Sequence, residues 1–250
     1  MSKELVSVII ANLEERFLQQ TIDSVMTTAD EVVEVIVEND DESKGMRHCL
    51  NKAANRAKGD FLFKIDGHCI MSPHWDTILK TVCEDQKDLA VSRIREINWT
   101  KWELTNRGYD FVQLNPDLSV GGCGKFTPDD PDVSETVAFT GCGFMMHHSR
   151  FDELEQNWEA LGRYGNLGAE WALKIWLSGG RLLLSRHVTC GHVFRKQGVL
   201  GCLINDQIKA REVLFERFAN NNGPLQTKCL RWLPLHFMPI TEESNVINQS

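Results

Sequence analysis

The stretch Lys58-Gly59-Asp60-Phe61-Leu62-Phe63-Lys64-Ile65-Asp66-Gly67-His68-Cys69-Ile70-Met71-Ser72-Pro73-His74-Trp75 decides how the rest of the chain is read. Phe61 to Ile65 is a short run of strand-forming residues entered through Gly59-Asp60, and it stops at Asp66-Gly67-His68. In an extended segment residues i and i+2 share a face, so Asp66 and His68 can converge on one ion while Gly67 permits a tight turn. Open α/β sheets bind ligands at the carboxyl ends of their strands. One oxygen and one imidazole ligand suit Mn²⁺, Zn²⁺ or Fe²⁺ better than Ca²⁺. A D-x-H taken alone equally describes a solvated strand-to-turn junction. The choice between the two falls to the flanking sequence.

Upstream, Val6 to Ile10 is a continuous apolar run, as in a strand buried on both faces. Ala11 to Glu15 reads as the loop leaving it, and Phe17, Leu18, Thr21, Ile22 and Val25 recur at helical spacing over 15–27. A second strand follows at Val32 to Val37, a polar acidic loop at Glu38 to Ser43, and a helix over about 45–57. Strand, helix, strand, helix, strand predicts two βαβ units, a parallel sheet and an α/β fold. There is no G-x-G-x-x-G after the first strand and no G-x-x-x-x-G-K-[ST] in the chain. A divalent cation on the sheet edge is the other way to hold a diphosphate, and Asp66 with His68 can supply it.

Downstream, a helix is expected at about 76–84 and a strand at Leu89 to Ile94. Residues 96–135 read as an insertion, with strands at 98–102 and 111–114 and loops at 121–125 and 128–132. Val137 to Phe139 leads into a glycine-bounded turn and a short apolar strand ending near Met146. Gly168-Ala169-Glu170 opens a helix whose apolar face is Ala169, Ala172, Leu173, Trp176 and Leu177, closed by Gly179-Gly180. Strands are expected at 181–184 and 187–195, the second carrying His192, a candidate third ligand behind Gly191. A helix over about 199–219 and a short tail complete the reading.

The 250 residues are 42% hydrophobic and 25% charged, enough for a sizeable core. Net charge is −8, which excludes a chain that is basic throughout. Between Arg195 and Arg231, however, seven Lys/Arg stand against three acids. The eight cysteines contain no C-x-x-C pair, which points to scattered thiols in a reducing compartment. No signal-peptide layout opens the sequence and no apolar run approaches the roughly 20 residues of a membrane span. A cytoplasmic location is expected, in the host cytoplasm for a viral protein.

These motifs resemble those of the GT-A glycosyltransferases. Val-Ser-Val-Ile-Ile at 6–10, Thr-Ile-Asp-Ser-Val at 21–25 and the spacing from Asn51 to Asp66 are similar to the family-two branch. Asp66-Gly67-His68-Cys69, Gly168-Ala169-Glu170 with Lys174 to Gly180, and Gly191-His192-Val193-Phe194-Arg195-Lys196 resemble motifs of the polypeptide N-acetylgalactosaminyltransferases. The departures are Ala11 where a proline is usual and Glu38-Asn39-Asp40-Asp41 in place of a plain Asp-Asp. The resemblance implies a mostly parallel central sheet flanked by helices. Residues 1–198 would form the catalytic domain (1–95 the nucleotide half, 96–198 the acceptor and metal half), and 199–250 a helical extension and tail. It also implies a UDP-sugar donor and a Mn²⁺ or Mg²⁺ held by Asp66, His68 and His192. Asn39 and Asp40 would contact uridine, His48 would lie near the nucleotide, and Glu170 would face the sugar or the acceptor.

Arg195 and Lys196 are expected to add charge at the diphosphate as it leaves, and 195–201 to close as a lid. Glu170 is the candidate base of an inverting reaction and a sugar ligand in a retaining one. The basic segment makes a hydroxymethylated base in DNA the leading expected acceptor, as in small glycosyltransferases of viral DNA hypermodification. A glycan or protein hydroxyl is the competitor. A sugar-nucleotide pyrophosphorylase and a non-catalytic sugar-nucleotide binder are the readings from other classes.

Overall fold

The computed structural model describes residues 4–109, 113–121, 131–194 and 201–237. The chain runs β1 (Val6–Asn12), α1 (Leu18–Thr28), β2 (Val33–Asn39), α2 (Met46–Arg56), β3 (Phe61–Lys64), β4 (Cys69–Met71), α3 (Trp75–Val82) and β5 (Leu89–Asn98). It continues β6 (Glu103–Tyr109), β7 (Gln113–Leu114), β8 (Val120–Gly121), β9 (Val133–Glu135), β10 (Phe144–His147) and α4 (His148–Glu153). The last elements are α5 (Leu167–Leu177), β11 (Leu182–His192), α6 (Gly201–Ala219) and α7 (Trp232–Phe237).

The main sheet has the order β2-β1-β3-β10-β5-β11-β4. β1 is parallel to β2 and β3, and β5 is parallel to β11. β10 lies antiparallel between β3 and β5, which leaves β5 running in the same sense as β3. The carboxyl ends of β1, β2, β3, β5 and β11 therefore share one edge of the sheet. Side chains alternate across the strands as a pleat requires. Val6, Val8 and Ile10 pack with Phe61, Phe63, Val25, Trp75 and Leu79 on the face covered by α1 and α3. Ile9, Leu62, Phe144 and Met146 pack with Leu50, Ala53 and the apolar side chains of α5 on the other. Ala210, Leu214, Phe218 and Leu233 join that second cluster, so the extension is part of the same core.

Several local expectations need correction. Residues 99–102 are not a strand: Asn98 ends β5, its Oδ1 accepts from Thr100 N and Oγ1, and Trp102 takes φ +55, which turns β5 into β6. The strands expected at 181–184 and 187–195 are one long strand, β11, whose register with β5 shifts between Ser185 and Thr189. That irregularity divides the outer edge of β11, whose residues 183–185 pair with β9 and residues 190–192 with β4. Helix α5 is buried along its whole length rather than on one face, Glu170 and Lys174 included. Among the described residues no helix is long and apolar enough to cross a membrane.

Candidate metal and nucleotide site

Parallel strands bring the predicted ligands to one place. Asp66 and His68 follow β3, and His192 ends β11, where it is paired in register with Cys69 of β4. His68 Nε2 stands 3.1 Å from His192 Nε2, and His192 Nε2 stands 3.2 Å from Asp66 Oδ2. The three side chains offer ligand atoms that all lie within 4.8 Å of one another. Two imidazole nitrogens at 3.1 Å either share a proton or aim both lone pairs at one cation. An octahedral ion with bonds of about 2.1 Å sets neighbouring donors about 3.0 Å apart, so the set fits such an ion. His192 Nδ1 is buried with no hydrogen-bond partner among the described residues.

Two neighbours that the sequence did not single out prepare this set. Glu15, in the loop after β1, places Oε2 3.0 Å from His68 Nδ1. A carboxylate on the far nitrogen fixes the ring and leaves Nε2 as the metal-facing atom. Gly67 lets Glu15 come this close, because a Cβ there would lie 3.0 Å from Glu15 Cβ and Cγ. Lys64, at the end of β3, is fully buried and bonds both Asp66 Oδ1 and, at 2.8 Å, the Gly141 carbonyl. Burial alone would raise the Asp66 carboxyl; the Lys64 charge and the His192 hydrogen bond overcome it and hold Asp66 well below the usual carboxylate range. Burial likewise works against a charged Lys64, yet Asp66 outweighs it, shifting the Lys64 pKa upward and keeping the ammonium protonated. At His68 the desolvation that would lower it loses to Glu15 and Asp66, so the imidazole is shifted upward. A cation entering the set displaces that proton.

Asn39 and Asp40 lie on the same carboxyl edge. Asn39 Oδ1 accepts from Asn12 Nδ2 at 2.7 Å, directly across the β1–β2 register. Asp40 accepts from Gly45 N, 3.0 Å from each carboxylate oxygen, which shapes the loop into α2. His48, on α2, lies 3.1 Å from Glu159. Arg195 and Lys196 lie outside the described residues, as does the expected lid apart from Gly201, which starts α6.

Glu170 is where the structure departs most from expectation. Its carboxylate is fully buried and accepts from Arg47 Nε at 2.8 Å, Lys174 Nζ at 2.9 Å and Trp158 N at 2.7 Å. Arg47 also donates to the Gly162 and Gly165 carbonyls, and Lys174 lies over the Trp158 and Trp171 rings at 4.2 and 4.8 Å. Burial would raise the Glu170 carboxyl, but Lys174 and Arg47 bring it below its ordinary value. A saturated carboxylate with no exposed surface does not reach an acceptor hydroxyl; it ties α5 to α2 and to the 155–165 segment. Sequence reasoning missed this because Arg47 is 123 residues away.

The mostly parallel central sheet flanked by helices has the GT-A glycosyltransferase fold. GalNAc-T7, solved with UDP, GalNAc and Mn²⁺, superposes with a TM-score of 0.77 over 98% of this chain and 58% of its own, at 18% identity. Polypeptide N-acetylgalactosaminyltransferase 3 of Drosophila melanogaster is 26% identical over 153 residues, 57% of this chain and 23% of the fly protein. Inactive polypeptide N-acetylgalactosaminyltransferase-like protein 5 of Mus musculus is 27% identical over 141 residues, 52% of this chain and 32% of the mouse protein. The matched stretches span well under half the length of the fly and mouse proteins. No protein-family model matches the chain.

Proposed function

We propose that the protein is a metal-dependent glycosyltransferase that moves a sugar from a UDP-sugar to a hydroxyl of a protein or a glycan. The observation that carries this reading is the convergence of Asp66 Oδ2, His68 Nε2 and His192 Nε2 on the carboxyl edge of the sheet. Those three residues would hold a Mn²⁺ or Mg²⁺, which would supply Lewis-acid charge at the diphosphate of the donor. Glu15 orients His68, and Lys64 keeps Asp66 ionised. Asn39 and Asp40 border the place for uridine, with His48 on the helix behind them. Arg195 and Lys196, a few residues beyond His192, add positive charge to the leaving group. Glu170 acts at a distance, by fixing Arg47 and α5.

Relatives that bear polypeptide N-acetylgalactosaminyltransferase names support a protein hydroxyl as acceptor. The basic segment gives DNA less support than its charge suggested. Arg211 pairs with Asp117 at 3.0 Å, Arg217 lies 4.0 Å over the Trp158 ring, and Lys228 lies 3.6 Å over Trp232. Side chains so engaged are less available to phosphates.

The test is UDP release from a panel of UDP-sugars with Mn²⁺ or with EDTA. Acceptors are Ser/Thr-containing peptides, oligosaccharides and hydroxymethylcytosine DNA in separate reactions. Metal-dependent release stimulated by peptide or oligosaccharide is the expected result. Stimulation by DNA alone would move the acceptor to nucleic acid. UTP formation from UDP-sugar and pyrophosphate would identify a pyrophosphorylase. Tight UDP binding without turnover would place the chain with non-catalytic binders, a result the resemblance to an inactive mouse relative makes worth seeking.

A further inference from the structure

A second convergent donor set lies next to the first and has no part in the chemistry above. Cys69 on β4, Cys142 in the turn before β10 and Cys190 on β11 bring their sulfurs within 4.8 Å of one another. Cys69 Sγ and Cys142 Sγ are 3.7 Å apart. All three are free thiols, exposed by 0%, 2% and 0%. They belong to the apolar cluster of Phe63, Ile65, Trp75, Met145 and Val188. A single buried cysteine is an ordinary small hydrophobe. Three from chain positions 69, 142 and 190, meeting sulfur to sulfur, exceed what packing needs, since alanine or valine would fill the same space without aligned donors. The backbone makes room for them. Gly143 takes φ +66, and a Cβ there would meet Ser92 Oγ and lie 3.3 Å from Cys190 Sγ.

We propose that Cys69, Cys142 and Cys190 form a buried trithiolate site for a thiophilic d¹⁰ metal ion, with copper(I) the best-fitting occupant. Thiolate donors select soft ions, in contrast to the oxygen and imidazole set alongside. Three sulfurs with bonds of about 2.3 Å to a trigonal ion lie about 4.0 Å apart, within the spread the sulfurs already show. Among the described residues no fourth Cys, His, Asp or Glu joins the set. Copper(I) is content with three donors, whereas structural zinc takes four. On coordination each thiol releases its proton to solvent and one sulfur–metal bond forms in its place, with no change in oxidation state. The negative charge that results faces Lys64, whose ammonium bonds the Gly141 carbonyl next to Cys142. Because Cys69 and Cys190 lie on the paired strands β4 and β11, an ion here also pins the register that sets His68 against His192. The site stands or falls independently of the glycosyltransferase reading.

The experiment uses the full chain, reduced and anaerobic, with Mn²⁺ present to fill the Asp66 set. It is titrated separately with copper(I), delivered from a competing chelator, and with Zn²⁺. X-ray absorption at the metal edge reads the donor atoms. The expected result is one equivalent of copper(I) bound through three sulfurs and bound more tightly than zinc. Cys142→Ser and Cys190→Ala should each weaken copper(I) binding at least 100-fold, while Cys229→Ser, at an exposed thiol, leaves it unchanged. Circular dichroism of the apo variants separates loss of the site from loss of the fold. Zinc held through the same three sulfurs supports the site and replaces the occupant. Nitrogen or oxygen ligation, binding that survives both trio variants, or no binding above the chelator's affinity overturns the proposal.

Discussion

Replacing Glu170 with glutamine tests whether this carboxylate works in catalysis or in holding the core. The side chain keeps its volume but loses its charge, leaving Arg47 and Lys174 as two buried cations with no anion between them. Breaking a buried pair by removing one partner costs about 3–5 kcal/mol, most of it the exposure of the remaining charge to a poorly solvating interior. With a urea m-value of about 2–3 kcal/mol per molar for a chain of this size, the unfolding midpoint should fall by about 1–2 M. Equilibrium urea unfolding followed by tryptophan fluorescence reads it directly, because Trp158 and Trp171 flank Lys174. Replacing all three charges together (Arg47→Met, Glu170→Leu, Lys174→Met) should recover much of the loss, since a packed apolar triad avoids the desolvation cost altogether. The dependence on pH has a definite sign. The folded Glu170 carboxyl sits below its ordinary value of 4.5, so its contribution is fully present above that pH and disappears as pH falls through the folded value. The gap between the parent chain and Glu170→Gln should therefore narrow in acid. A midpoint unchanged within 0.2 M or so, on the same urea scale, together with abolished UDP release, would refute the structural role and return Glu170 to the reaction.

Glu15→Gln should lower Mn²⁺ affinity about 10–100-fold, the usual effect of losing the carboxylate behind a metal-bound histidine, as read by electron paramagnetic resonance titration of free Mn²⁺. Lys64→Met removes the charge that keeps Asp66 ionised, so metal binding should fail at a higher pH than in the parent chain as the solution is acidified. Gly143→Ala puts a side chain on a φ +66 backbone against Ser92, and should lower the unfolding temperature by several degrees, with a loss of about 1–3 kcal/mol measured by calorimetry.

The parallel sheet was legible because Val6 to Ile10 and Phe61 to Ile65 are apolar runs too short for helices and too continuous for exposed strands. His192 was legible for a related reason: a polar residue behind a glycine at a strand end lies on the ligand-binding edge. What escaped was non-local. β4 is three residues long and leaves no periodic signature. The short apolar strand at β10 was legible, but its antiparallel seat between β3 and β5 pairs it with residues about 50 and more positions earlier, which no local pattern reports. Lys64 carried a signal that went unused, since a lysine two residues before Asp66 in an apolar strand shares its face. Glu170 and Lys174, four apart on a helix, look like a solvated surface pair. Only the arrival of α2 with Arg47, and of Trp158, turns them inward.

The antiparallel seat of β10 also orders events during synthesis. Residues 6–64 can form β1, β2, β3 and their helices as a local unit, while β5 and β11 have no hydrogen-bonded link to it until residues 144–147 are made. Until then β3 shows its free side, Phe61 to Lys64, as an unpaired and mostly apolar rim open to the wrong strand. Sequence separations this long slow productive pairing. The nascent chain is therefore most exposed to aggregation while its middle third is being made, and the histidine of β11 reaches its partners only as the last strand of the sheet is laid down.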